Sequence, residues 1–247
     1  MTAALTHADL ARNRLLRLLD AIDSGAAGNI MATAVLLPGE PPPSAIAAHP
    51  HAILLEAYRQ RAESGVYLLL GAPRSWLVVP PYLLTAPLYE PGAHTAALRA
   101  LLASAPRIAA VLLRLGGWAI GVYEGDTLVQ SRNAARFVKN RHRKGGQSQR
   151  RFDRIREKQI HELFGGLCAE AEARLLPWLG RLDFIAYGGD RHTVQAALKE
   201  CRFLRELPHP VLPRFLTVPE PRHETLERLP ALLSTSRVVA VEDDAAV

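Results

Sequence analysis

Two rhythms of apolar and polar residues run along this chain. Leucines and isoleucines at 10, 15, 18, 19 and 22, with charge on the opposite side, predict a helix over 8–22, ended by Gly25–Gly28. The run from Ile30 to Leu37 predicts a buried strand, stopped by Pro38-Gly39 and Pro41-Pro42-Pro43. A helix over 52–62 follows. Residues 66–70 and 75–79 predict a hairpin turning at Gly71-Ala72-Pro73, proline-rich 80–93 an irregular connection, and 94–103 a further helix. Residues 1–104 thus read as a small α+β domain.

The rhythm then changes. Residues 108–115, 118–124 and 127–132 are three short apolar runs separated by Gly116-Gly117 and Glu124-Gly125-Asp126, which predicts an antiparallel meander. A basic loop over 139–149 leads into a long helix over 149–176, with Phe152, Ile155, Leu163, Leu167 and Ala171 on or near one face and Pro177 at its end. Beyond it the pattern predicts strand 184–187, helix 193–201, strand 211–216, helix 220–233 and strand 237–241. A meander followed by alternating strands and helices makes a mixed sheet covered by helices, so the fold class is α/β in the broad α+β sense, with a second domain over 105–247.

Composition narrows the class. An apolar share of 49% over 247 residues is enough to bury a sizeable core. Cys168 and Cys201 stand far apart without a C-x-x-C pattern. They fit neither a disulfide framework nor a zinc site, and are read as buried thiols in a reducing cytoplasm. The N-terminus shows no basic stretch followed by an apolar run, so no signal peptide is expected. The most apolar stretch, 108–123, is too short and too interrupted by Arg114 and Gly116-Gly117 to span a bilayer, so no membrane partner is expected.

The net charge of +6 is concentrated in one place. Residues 136–158 hold ten Lys and Arg against Asp153 and Glu157, which leaves that segment at about +8 and the rest of the chain at about −2. A basic patch on a near-neutral body is the footprint of a polyanion binder. Within it, Gly145-Gly146-Gln147 matches neither a Walker A loop nor a dinucleotide-binding fingerprint. Two readings remain: a glycine linker before a helix capped by Ser148, or a loop whose backbone approaches a reacting atom closely, with the positive end of a helix behind it. His142 is read as an RNA contact before a general base. Asp190 and His192, after Gly188-Gly189, are read as a turn with a helix cap. No metal cluster or cofactor motif stands out, and no Ser-His-Asp arrangement is legible.

The string Gly145-Gly146-Gln147-Ser148-x-x-Arg151-Phe152-x-Arg154-Ile155-Arg156 resembles the catalytic loop and following helix of archaeal and eukaryotic class I peptide-chain release factors, whose pattern is G-G-Q-S-x-x-R-F-x-R-L-R. The surrounding pattern resembles that family's middle domain over 105–247. "LLRLLDAIDS", "MATAVLLPGE", "GVYLLLG" and "HTAALRALL" resemble parts of its N-terminal domain, shortened, in 1–104. The resemblance implies hydrolysis of the peptidyl-tRNA ester in the peptidyl-transferase centre of the large ribosomal subunit. Gly145, Gly146 and Gln147 would be the catalytic residues, and Arg141, His142, Arg143, Lys144, Arg150, Arg151, Arg154 and Arg156 would contact rRNA and tRNA phosphates. It implies no cofactor. The family's stop-codon-reading N-I-K-S loop has no counterpart between Pro43 and Val66, which directs the resemblance to the stop-codon-independent, Vms-like rescue branch and its bacterial relatives. The family's third domain, which contacts a GTPase partner, has no counterpart before Val247, so no such partner is expected. A non-catalytic RNA-binding module and a tRNA-directed nuclease are the alternative readings.

Overall fold

The computed structural model describes residues 3–138 and 147–243. In chain order it forms β1 (Ala3–Leu10), α1 (Arg12–Asp23), β2 (Asn29–Leu36), α2 (Ser44–Ala47), α3 (Pro50–Arg59), β3 (Val66–Ala72), β4 (Arg74–Val79), β5 (Leu88–Pro91) and α4 (Ala96–Ala103). There follow β6 (Arg107–Arg114), β7 (Gly117–Glu124), β8 (Thr127–Ala135), α5 (Gln147–Leu175), a 3-10 turn (Leu176–Trp178), β9 (Phe184–Gly189), α6 (Arg191–Glu200), α7 (Arg202–Arg205), α8 (His223–Leu233) and β10 (Ser236–Asp243). The chain divides into two compact units: Met1–Ser104 with Ala231–Val247, and Ala105–Pro230.

The first unit is built on a six-stranded sheet of order β1-β10-β4-β3-β2-β5, antiparallel at every pairing. Period-2 alternation on β3 sends Tyr67 and Leu69 to one face, with Leu15 and Leu19 of α1 and Leu98 and Leu102 of α4. It sends Leu68 and Leu70 to the other, with Ile46 of α2 and Leu55 of α3. Because helices cover both faces, β3 reads as an unbroken apolar run rather than an alternating one.

Three departures from the predicted elements belong to this sheet. Residues 3–10 form β1 and not the start of a helix. Nearly all of the β1 side chains are exposed, so no buried face imposes a pattern, and what holds the strand is its ladder to β10 from Ala3↔Asp243 to Leu10↔Ser236. The connection over 80–93 contains β5, a four-residue edge strand on β2. The final strand, expected to extend the second sheet, lies between β1 and β4 in the first.

The second unit has a four-stranded sheet of order β8-β7-β6-β9, an antiparallel meander with β9 added parallel to β6. Its fold is the mixed α+β arrangement expected. Trp118, Ile120 and Val122 of β7 face α5, which buries Leu163, Phe164, Leu167, Ala171 and Leu175 against them, and Val194 and Ala197 of α6 join the same core. On the far face Tyr123 donates to the Leu226 carbonyl of α8 at 2.7 Å. The strand expected at 211–216 is reduced to two isolated bridges, Ile185↔Val211 and Gly188↔Leu216. The Leu212 N–H donates to the Ile185 carbonyl and the next donor to β9 is Leu216, to the Tyr187 carbonyl, so the residues between them loop out of a continuous ladder.

Cys168 on α5 and Cys201 after α6 form a disulfide with Cα atoms 5.5 Å apart. This corrects the reading of two free thiols. A separation of 33 residues conceals that α5 and α6 pack side by side.

Candidate functional site

β8 and α5 are the two stems of the basic segment. Gly145, Gly146, Arg141, His142, Arg143 and Lys144 lie outside the described residues. Gln147 opens α5, and the first turn of that helix holds no acidic residue. The positive end of the helix dipole is therefore not offset by a carboxylate within that turn. Arg150 lies in the same turn. Arg151 and Arg154 are exposed, and Arg156 is half-buried. Spacings of three and four place Arg151, Arg154 and Lys158 on one stripe of the helix.

α5 has two parts with different surroundings. None of the described side chains from Arg151 to Glu162 is buried, whereas Leu163 to Leu175 supplies the core residues named above. Phe152, expected in the core with Ile155, is 43% exposed, and this too is a correction. The apolar stripe of α5 is buried only from Leu163 onward, with Ile160, partly buried, packed on the same core. Arg154, Glu157, Lys158, His161 and Glu162 line a shallow cleft of about 500 Å³ along the exposed part.

Polar contacts join the two stems. From the end far from the basic segment inward, Trp178 Nε1 donates to Gln130 Oε1 at 2.6 Å, Arg132 pairs with Glu170 at 3.6 Å, and Arg136 pairs with Glu162 at 2.6 Å. Ala134, between the arginines, packs on the apolar core. The Arg136 N–H donates to the Gly116 carbonyl at 2.8 Å, so backbone and side chain are both engaged there. Arg136 was legible only as one of ten cations. Its partner 26 residues away was not, because the pairing depends on how β8 lies on α5.

The other candidate polar residues are structural. Asp190 caps α6, accepting from the Thr193 N–H at 2.8 Å and from its hydroxyl, and these bonds hold its carboxyl below the usual range. His161 Nδ1 lies 2.8 Å from Glu200 Oε2. In the first unit, buried His51 sits between Ser75 at 2.8 Å and Asp243 at 2.9 Å, an arrangement unread from sequence. Ser75 is fully buried, accepts from the Gly71 N–H and donates to the Gly71 carbonyl, so this triad ties a hairpin together and exposes no nucleophile. Among the described residues no group of three or more His, Cys, Asp or Glu is placed to hold a metal ion, and no helix is long and apolar enough to cross a membrane.

Residues 106–239 match the family described as Actinobacteria/chloroflexi VLRF1 release factor. The chain belongs to this release-factor family. The VLRF1 match contains the whole β8–α5 stem, the basic segment and the G-G-Q string. Peptide chain release factor subunit 1 of Pyrococcus abyssi is 30% identical over an alignment of 148 residues that covers 55% of this chain and 36% of the relative. The protein of the same name from Thermococcus onnurineus is 29% identical over the same shares. The matched stretch thus spans about a third of the length of these relatives. Among solved structures, an archaeal translation termination factor, aRF1, aligns over 91% of this chain and 73% of its own at 15% identity with a TM-score of 0.36. The Pelota protein of Archaeoglobus fulgidus aligns over 92% and 63% at 11% identity with a TM-score of 0.30. Both likenesses are remote.

Proposed function

We propose that this VLRF1-family chain is a ribosome-dependent peptidyl-tRNA hydrolase that frees nascent peptides from stalled ribosomes without reading a stop codon. One observation carries the reading: the full string from Gly145 to Arg156, within a segment of charge about +8, in a chain of the release-factor family. The reaction adds water to the ester carbonyl carbon and breaks its bond to the tRNA 3′ oxygen, giving a peptide acid and a free tRNA hydroxyl. The chemistry needs a placed water and stabilisation of charge on the carbonyl oxygen and the leaving oxygen. Gly145 and Gly146 let the backbone approach closely, the Gln147 N–H donates to the developing charge, and its side-chain amide shapes the water position. The positive end of α5 lies behind them. Arg141, His142, Arg143, Lys144, Arg150, Arg151, Arg154 and Arg156 hold the segment against rRNA and tRNA phosphates.

In this reading residues 105–230 serve as the catalytic domain, and 1–104, completed by the final strand, as a shortened release-factor N-terminal domain. The protein works in the cytoplasm, on the ribosome. The test is release of labelled peptide from stalled ribosomes with and without a stop codon in the A site. Release is expected in both cases, and Gln147→Ala and Gly146→Ala are expected to lower it at least tenfold while ribosome binding is kept. Undiminished release by Gln147→Ala refutes the loop mechanism. Release confined to stop codons refutes the rescue reading. Ribosome binding without release by the native chain assigns it to the non-catalytic alternative.

A further inference from the structure

We infer that Arg136 and Glu162 are positioning residues: their ion pair clamps the two stems, β8 and α5, and so sets where α5 presents Gln147. The inference rests on the catalytic reading of that loop. Arg136 is held just before the loop by its N–H to Gly116 and its side chain to Glu162, and Val138 beyond it packs on the apolar core. On the other stem, Glu162 immediately precedes the first core residue of α5, Leu163, so it stands where the buried part of the helix ends and the exposed part begins.

The spacing of the contacts fits a clamp. From Arg132 to Arg136 the strand advances about 13 Å. From Glu170 back to Glu162 the helix covers about 12 Å. The two antiparallel stems can therefore make both ion pairs at once. A neighbouring Lys158, 4.0 Å from Glu162, draws on the same carboxylate from within the helix.

The position of the pair explains what it does. Both side chains are partly exposed, at 50% and 38%, and such pairs add little to global stability. Their leverage is larger. From Glu162 to Gln147 is about 22 Å of helix, so a swing of about 5° displaces the start of the helix by about 2 Å. A misplacement of about 1 Å can lower a reaction rate about a hundredfold. The pair therefore bears on the rate of chemistry far more than on folding.

The test is a charge-reversal cycle in the full chain: Arg136→Glu, Glu162→Arg and both together, with Gln147→Ala alongside, each assayed for single-turnover peptide release on stalled ribosomes at varied factor concentration. Each single reversal is expected to lower the maximal release rate about tenfold. The half-saturating concentration should stay within about twofold and the melting temperature within about 2 °C. The double reversal is expected to restore the rate to within about threefold of the native chain. If either single reversal is silent, or the double variant is no faster than the singles, the clamp is refuted. If Arg136→Glu raises the half-saturating concentration and leaves the maximal rate unchanged, Arg136 is an RNA contact and the clamp is again refuted. Loss of release in Gln147→Ala beside either failure refutes the clamp alone. Full release by Gln147→Ala refutes the catalytic reading beneath it.

Discussion

Reducing the Cys168–Cys201 bond is expected to destabilise the second unit and leave the first alone. The bond closes a loop of 33 residues from the middle of α5 to the end of α6, and all of that loop belongs to the second unit. The loss of chain entropy that such a closure imposes on the unfolded state corresponds to about 3.7 kcal/mol at 25 °C. For a unit of this size that is a fall of about 10–15 °C in melting temperature. The measurement is scanning calorimetry with and without a phosphine reductant. Two compact units permit two transitions, and only one should move. The Cys168→Ala/Cys201→Ala chain should melt at the reduced position and be indifferent to the reductant. If the oxidised and reduced proteins melt within about 2 °C of each other, the assigned bond, or the reasoning from loop length, is wrong. The same holds if the first unit's transition shifts instead. The proposed compartment makes the result consequential. Disulfides are rare in a reducing cytoplasm, so a chain working there would run from the weaker, dithiol state.

Two further predictions concern packing. Gly189 ends β9 with φ +105°, and a Cβ there would sit 2.2 Å from the Leu113 carbonyl oxygen, so Gly189→Ala should cost at least about 3 kcal/mol in denaturant unfolding. Wild-type stability would overturn the placement of β9 against β6. Burial raises the Tyr187 phenol to about 12, with its hydroxyl donating to the Leu204 carbonyl, and raises Tyr123 further. A raised folded pKa keeps its full stability below the unfolded value near 10 and loses it as pH climbs from about 10 to 12. Ultraviolet titration should therefore show exposed tyrosines ionising first and these two only at or beyond the onset of alkaline unfolding. Ionisation of all six tyrosines near pH 10 with the fold intact would refute the burial.

What the sequence revealed depended on whether a signal was local. The meander was legible because Gly116-Gly117 and Glu124-Gly125-Asp126 punctuate runs that also bury, and α5 because Leu163, Leu167 and Ala171 repeat at helical spacing. β1 was missed because its side chains meet solvent and its partner lies more than two hundred residues away. The strand at 211–216 failed for the opposite reason: its apolar pattern was right, but its backbone meets β9 only at its two ends. At the candidate site, the string from Gly145 to Arg156 needed no structure to be noticed, whereas the Arg136–Glu162 pair, the exposure of Phe152 and the disulfide all depend on which face of α5 meets β8 and α6.

The place of β10 governs the order in which this protein can be completed during synthesis. β1 leaves the ribosome more than two hundred residues ahead of the strand that lies between it and β4. The entire second unit is threaded between α4 and that strand, so it can finish folding while the first sheet still lacks an interior member. Until translation reaches residue 243, β1 has no ladder partner and one side of β4 stays open. In the proposed role, a protein that relieves stalled synthesis would itself be exposed to a stall: one short of β10 would leave the first sheet unclosed.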